Sequence, residues 1–218
     1  MIASRAERPE VARSRELILD TVELMFPEYG LDMSMNEIAA RAGLGPATVY
    51  RRFAHHDDLM KALYDRAFDR FAVLFETLES IPPGVETVTA FLKGAVELNN
   101  RYPSIPAVAR RMGRIDPLYR PSEVLVKPLE RHVALAQESG ALRSDVMAVD
   151  LAIATVALGA LTSLPEPART ATSMRQLQII LAGLRPESER FGALTADGTL
   201  RMEGLHDLVH SPTGPSES

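Results

Sequence analysis

Two short helical patterns, separated by glycine and proline, occupy the segment from Ser34 to Phe53. Glu37 follows Ser34 by three residues, the spacing of a capping box in which each side chain bonds an unpaired N–H at a helix start. Gly43 can adopt the left-handed backbone conformation that ends a helix. The Gly45-Pro46 pair then suits the N-cap and first residue of a second helix, because proline needs no N–H partner there. The segment therefore predicts a helix, a tight turn and a second helix that ends near Arg52.

The second helix has a buried face and a polar face. Val49 and Phe53 are four residues apart, so both should point into the core. The polar side chains Thr48, Tyr50, Arg51 and Arg52 are then left outside. This arrangement is typical of a helix-turn-helix, in which the second helix lies in the major groove of DNA. We therefore expect DNA contacts at Thr48, Tyr50, Arg51 and Arg52 on this helix, and the family resemblance given below adds Ser34, Ala47 and His56.

These expected contacts differ in kind. Either Arg51 or Arg52 offers a guanine a bidentate hydrogen bond, whereas Thr48, Tyr50 and His56 should position the phosphate backbone. Ala47 has no long side chain and is limited to contact with a thymine methyl group.

A wider set of residues resembles the N-terminal domain of the TetR/AcrR family of transcriptional regulators. The resemblance covers about the first quarter of the chain and rests on Ile18-Leu19, Phe26, Gly30, Ile38-Ala39, Ala42-Gly43, Thr48, Tyr50, Phe53 and Leu59. It implies an all-α protein with an N-terminal three-helix helix-turn-helix DNA-binding domain and a C-terminal helical ligand-binding and dimerisation domain. It also implies a homodimer on double-stranded operator DNA, and a repressor that a small hydrophobic or amphipathic effector releases. We place the domains at 1–56 and 57–185, with a weakly ordered tail at 186–218.

The chain departs from the family at Pro27, which should tighten the end of the first helix, and at His56, which replaces a phosphate-contacting lysine. Protonation of His56 would strengthen DNA binding as the pH falls. The run from His55 to Asp58 also permits a metal site. We favour a helix start instead, because consecutive residues do not converge on one ion.

Composition restricts the other function classes. The 218-residue chain is 46% hydrophobic and 24% charged, which is ordinary for a soluble globular protein. It has no cysteine, which excludes disulfides and thiolate chemistry. The longest apolar run, Leu151 to Leu164, is too short to span a bilayer, so we expect a cytoplasmic protein without membrane contact. No phosphate loop, nucleophile elbow or metal-ligand pattern is found, so we expect no enzyme activity, cofactor or metal.

Helical periodicity continues through the rest of the chain. The first helix should run from about Pro9 to Tyr29, with Tyr29 on its inner face. The later helices are expected at about 55–80, 85–101, 103–114, 122–139, 145–164 and 170–184, with a short helix at 200–209. The helix at 145–164 is apolar nearly all round and must be covered on several sides. Either an internal core or a dimer interface would cover it, and we favour the interface.

The resemblance places an effector cavity among the fourth to seventh helices. The inward residues there are Phe68, Phe71, Phe75, Phe91, Leu98, Met112 and His132, and each of them is either cavity lining or ordinary core. Arg110, Arg111 and Arg114 form either an anion-binding edge or a solvated face. Two other functions stay open: a DNA-binding regulator without a small-molecule effector, and a helical ligand-binding protein that has lost its DNA function.

Overall fold

The computed structural model describes residues 7–82, 84–121 and 123–194. Within these ranges the chain forms α-helices and two 3₁₀ turns and contains no strand, which confirms the predicted all-α class. The helices are α1 Glu7–Tyr29, α2 Met35–Ala42, α3 Pro46–Arg52, α4 His56–Leu78, α5 Val85–Arg101, α6 Ser104–Ile115, α7 Glu123–Glu138, α8 Ala148–Gly159 and α9 Ala168–Gly183. The 3₁₀ turns are Ala160–Ser163 and Pro186–Phe191.

The N-terminal core brings α1, α2 and α3 together with parts of two later helices. Its fully buried side chains include Ile18, Ile38, Val49, Leu59 and Met112. Leu59 belongs to the first half of α4, and Met112 belongs to α6. The domain boundary at residue 56 stays a prediction. Leu59 and Met112 follow this boundary in the chain, yet both pack in the N-terminal core.

The second core lies between α4, α5, α7, α8 and α9. It contains Phe75, Leu92, Val133, Leu151 and Leu177. The second half of α4 supplies Phe75, so this helix contributes to both cores. The apolar residues of this one long helix therefore fall on two faces, one for each core.

Two sequence-based expectations are wrong in detail. Tyr29 was placed on the inner face of the first helix, but its side chain is 52% exposed, because the last turn of α1 extends past the packed core. The eighth helix begins at Ala148 rather than near Asp145, because the Met147 N–H donates to the Asp150 carboxylate at 2.8 Å and caps the helix there. The α-helix also ends early, at Gly159, and the chain continues as a 3₁₀ turn.

A buried arginine joins the α7–α8 connection to the segment after α9. Arg143 is 4% exposed and donates from Nε and Nη2 to the Asp145 carboxylate at 2.8 and 2.7 Å. It also donates to Ser188 Oγ and to the Gly192 carbonyl. The Leu194 N–H completes the cluster by donating to Asp145 at 2.7 Å. The predicted weakly ordered tail therefore begins with defined contacts, and the predicted helix at 200–209 lies outside the described residues.

Asp145 should make the stability of the chain sensitive to acid. The hydrogen bonds from Arg143, followed by the one from the Leu194 N–H, hold the pKa of Asp145 well below its usual range. A carboxyl with a lowered pKa in the folded state stabilises the fold above its ordinary pKa of about 4, and that stabilisation is lost as the pH falls through and below this value. Asp145→Asn should therefore have a lower melting temperature than the wild type at pH 7, and this difference in melting temperature should be smaller at pH 3.

Thermal unfolding of both proteins between pH 7 and pH 3 measures this gap. Glu138→Gln, which changes an exposed carboxyl at the end of α7, is the matched control and should keep a constant gap. A gap for Asp145→Asn that does not change with pH would rule out this role for the carboxylate.

Candidate nucleic-acid interface and ligand cavity

The start of α2 has the predicted capping box. The Glu37 N–H donates to Ser34 Oγ at 3.2 Å, and the Ser34 N–H donates to Glu37 Oε2 at 2.7 Å. The Glu37 carboxylate accepts from the Ser34 hydroxyl as well as from the Ser34 N–H, and these two bonds lower the pKa of Glu37, the hydroxyl bond more strongly. The Ser34 side chain expected to contact DNA therefore also holds the helix start.

The turn between α2 and α3 follows the predicted glycine chemistry. Gly43 has φ 67°, and the next N–H, from Leu44, donates to the Ala39 carbonyl at 2.9 Å. Leu44 is half-buried against the N-terminal core. Gly45 caps α3 with Pro46 as its first residue. These contacts fix the direction in which α3 leaves the turn.

Two buried anchors hold α3 against the core. Val49 is 0% exposed and Phe53 is 2% exposed, as the four-residue spacing predicted. The Arg15 guanidinium lies over the Phe53 ring, 5.2 Å from its centroid. This contact from α1 was not anticipated, because sequence spacing within α3 says nothing about its neighbour.

The outer face of α3 combines small and polar side chains. Ala47 and Arg51 are exposed, Tyr50 is 48% exposed, and Thr48 is half-buried. Within the described part of the chain, the one contact of Arg51 is a long one of 3.4 Å to Thr48 Oγ1, on its own helix. The Arg51 guanidinium can therefore reorient towards a ligand without breaking a contact to another helix.

Arg52 has a different environment from Arg51. It is half-buried, and its Nε donates to Ser14 Oγ of α1 at 2.7 Å. This bond ties α3 to α1. His56 is half-buried as the first residue of α4, where the predicted cap, His55, donates its N–H to Asp58 at 2.9 Å.

A cavity of about 410 Å³ lies among α4, α5, α6, α7 and α8. That volume is within the range of small-molecule sites. Its wall is mainly apolar and aromatic, and four predicted residues, Phe68, Phe71, Phe75 and Phe91, line it. Residues not singled out from the sequence also line it: Tyr64, Asn99, Ile105, Pro106, Leu125, Leu129, Thr155 and the small residues of α8.

The structure places the other three predicted residues away from the cavity. Met112 is 0% exposed in the N-terminal core. Leu98 is one position from the lining residue Asn99 on α5, and one position turns a side chain by about 100°. His132 lies behind the wall, where its ring stacks on Phe75 with centroids 6.4 Å apart. Burial there, with a smaller effect from Arg131, lowers the pKa of His132.

The helix α6 belongs to both sites. Ile105, Pro106 and Ala109 line the cavity, whereas Val108 and Met112 are buried in the N-terminal core. Arg111 adds an ion pair of 3.1 Å to Asp32, in the connection between α1 and α2. Any change in the cavity that displaces α6 therefore acts directly on the helix-turn-helix unit.

Two family models together match most of the chain. Residues 18–63 match the model described as bacterial regulatory proteins of the tetR family. Residues 84–186 match the model of the SbtR-like transcriptional regulator C-terminal domain. The chain belongs to the TetR family of transcriptional regulators. The family resemblance found in the first quarter of the sequence is thus confirmed, and the helix-turn-helix unit is its DNA-binding domain.

Solved structures of TetR-family regulators have the same fold. A TetR transcriptional regulator from Streptomyces coelicolor is 26% identical, with a TM-score of 0.59 over 79% of this chain and 98% of that chain. The ketosteroid regulator of Mycobacterium tuberculosis is 19% identical, with a TM-score of 0.60 over 79% and 95%. AibR in complex with isovaleryl coenzyme A and operator DNA is 20% identical, with a TM-score of 0.61 over 79% and 98%.

A comparison with curated protein sequences found no match. Within the described ranges, no helix of this TetR-family chain has both the length and the apolar character needed to cross a membrane.

Proposed function

We propose that this TetR-family regulator is a homodimeric repressor that a small molecule in the cavity releases from operator DNA. Because operator DNA lies in the cytoplasm, the protein would act there. The observation that carries the proposal is the double role of α6, which lines the cavity with one face and packs into the core of the DNA-binding domain with the other. A ligand that binds better when α6 is displaced would favour a dimer with mis-spaced recognition helices.

Dimerisation is supported by apolar side chains left in solvent on the last two long helices. Ile179 of α9 is 52% exposed, and Val156 of α8, which also lines the cavity, is 42% exposed. A two-fold pairing of this face would cover them and place two copies of α3 on successive half-sites of an operator.

The environments on α3 favour Arg51 over Arg52 as the base-contacting residue. Arg51 is exposed and has no partner on another helix among the described residues, whereas Arg52 holds Ser14 of α1. Arg52, Thr48, Tyr50, Ser34 and His56 are then left to position the backbone phosphates. Ala47, exposed in the first turn of α3, would contact a thymine methyl group.

Arg51→Ala should weaken binding to the operator by about 1–3 kcal/mol and relax the sequence preference at one base pair of each half-site. The operator is first obtained by selection from random duplexes with the wild type, which should yield inverted repeats bound by two chains. Fluorescence anisotropy on that duplex and its single-base variants then gives the affinities.

Arg131→Ala is the matched control, since Arg131 is an exposed arginine on α7. It should bind like the wild type. Unchanged affinity of Arg51→Ala for every duplex would remove Arg51 from the interface, and a failure of the wild type to select any sequence would contradict the operator proposal itself.

A further inference from the structure

We infer that the cavity binds an amphipathic anion, with an acyl or aryl body among the phenylalanines and a carboxylate on Arg110. This inference rests on the proposed function, in which the cavity is the effector site. It adds the chemical class of the effector and the residue that selects it.

The cavity wall has one source of charge. Among the described lining residues, Arg110 is the single ionisable group that is charged at neutral pH, and none is a carboxylate. Burial raises the pKa of Tyr64, the other titratable lining residue, to about 12, so its phenol stays neutral. An effector inside the cavity therefore meets a positive charge that no lining residue balances.

Arg110 differs from the arginine beside it. Arg111 forms an ion pair with Asp32 at 3.1 Å. Arg110 is exposed, and no described acidic residue lies within ion-pair distance of it. Three or four residues along a helix bring side chains to the same face, so Pro106, Ala109 and Arg110 share the cavity side of α6 while Arg111 faces the DNA-binding domain. Because Arg110 is both exposed and part of the cavity wall, we place it at the cavity mouth, where its donors can reach a ligand.

The polarity of the wall sets the orientation of the ligand. Phe68, Phe71, Phe75 and Phe91 bury an apolar body. One polar residue of the wall, Asn99, is 4% exposed, and its amide makes one long contact of 3.4 Å to the Thr155 carbonyl. Burying an ionised carboxylate against this wall costs free energy, whereas placing it at the Arg110 mouth gains a charge-assisted hydrogen bond. The carboxylate is therefore outermost.

Three ten-carbon probes separate charge from apolar fit: decanoate, 1-decanol and decylamine. By isothermal titration calorimetry at pH 7, the full-length wild type should bind decanoate about tenfold more tightly than decanol. Arg110→Met should bring decanoate down to the affinity of decanol without changing decanol binding. Arg114→Met, an exposed arginine of the same helix outside the cavity, should keep the wild-type preference.

A cavity-filling variant separates this inference from the proposed function. Ala152 lines the cavity, so Ala152→Phe should block all the probes, once circular dichroism shows that it is folded. If the wild type binds decanoate and decanol with equal affinity, and Ala152→Phe blocks both, the effector is not specifically an anion. That result would overturn this inference but would still support the cavity as the effector site. Tighter binding of decylamine, held by the aromatic rings, would overturn the inference in the same way. Probe binding that Ala152→Phe does not affect, or no probe binding at all, would overturn the inference and remove support from the effector cavity too.

Discussion

Replacing Met112 by alanine should lower the free energy of unfolding by about 2–5 kcal/mol. Met112 belongs to α6, yet its side chain is 0% exposed inside the core of the DNA-binding domain, beside Val108 of the same helix. Truncation leaves a cavity at the point where α6 meets that domain, and the surrounding helices can close it only in part. The loss is large because the methionine side chain joins a helix of the cavity wall to the core of the DNA-binding domain.

Chemical denaturation followed by circular dichroism measures this loss, since the chain has no tryptophan to report by fluorescence. Leu118→Ala is the matched control: it also removes an apolar side chain, but Leu118 is 84% exposed in the loop after α6. The free energy of unfolding of Leu118→Ala should stay within about 0.5 kcal/mol of the wild-type value. Equal stabilities for Met112→Ala and Leu118→Ala would mean that α6 does not pack into the DNA-binding core.

The helix-turn-helix unit could be predicted closely because its determinants are local. The capping box of Ser34 and Glu37, the positive φ of Gly43 and the Gly45-Pro46 start act within a few residues of the backbone that they shape. The same holds for the two buried anchors on α3. Their spacing fixes which face of the helix is buried, whatever lies opposite.

The cavity could be predicted only in part, because its wall is assembled from five separate helices. Four of the predicted residues, all phenylalanines, line it, since large aromatic residues on inner faces meet wherever α4 and α5 pack. Periodicity shows that a residue is buried but not which of two cores buries it, so the sequence left Met112 as either cavity lining or core, and the structure places it in the N-terminal core. The contribution of α8 was missed because its small side chains carry no chemical signal.

Contacts between residues far apart in the chain could not be predicted from the sequence either. Nothing in the local sequence marks Arg143 as buried, yet it is 4% exposed and bonds Ser188, which is 45 positions away. Arg52 looked equivalent to its neighbour Arg51 until the structure placed Ser14 beside it. Residue type and spacing do not distinguish such arginines, because their partners belong to other helices.

A second arginine of this kind, Arg70, should produce the other large effect. Its Nη1 and Nη2 donate to the two carboxylate oxygens of Glu23 on α1 at 2.6 and 2.9 Å. Its guanidinium also lies 3.5 Å from the centroid of the Tyr102 ring, between α5 and α6. Arg70 is 16% exposed and Glu23 12%, so water screens the pair little. One side chain of α4 thus connects the DNA-binding domain to the helices that surround the cavity.

Arg70→Met should lower the free energy of unfolding by about 3 kcal/mol, because it leaves the largely buried Glu23 carboxylate without its bidentate partner. The nearest remaining cation is Arg66, whose Nη1 is 3.7 Å from Glu23. Glu23→Gln alone should also destabilise the fold. The loss of unfolding free energy in the double variant should be smaller than the summed losses of the two single variants, because the pair is then removed as a unit. The difference should be about 1–3 kcal/mol.

Lys61→Met is the control on the same helix. Lys61 lies 4.0 Å from Asp116, and its side chain is 45% exposed, so this pair is screened by solvent and its loss should cost less than about 1 kcal/mol. Denaturation of the four proteins that make up the cycle, with Lys61→Met alongside, gives the coupling free energy directly. Strict additivity of Arg70→Met and Glu23→Gln would show that the two side chains act independently, and α4 would then hold the DNA-binding domain through its apolar contacts alone.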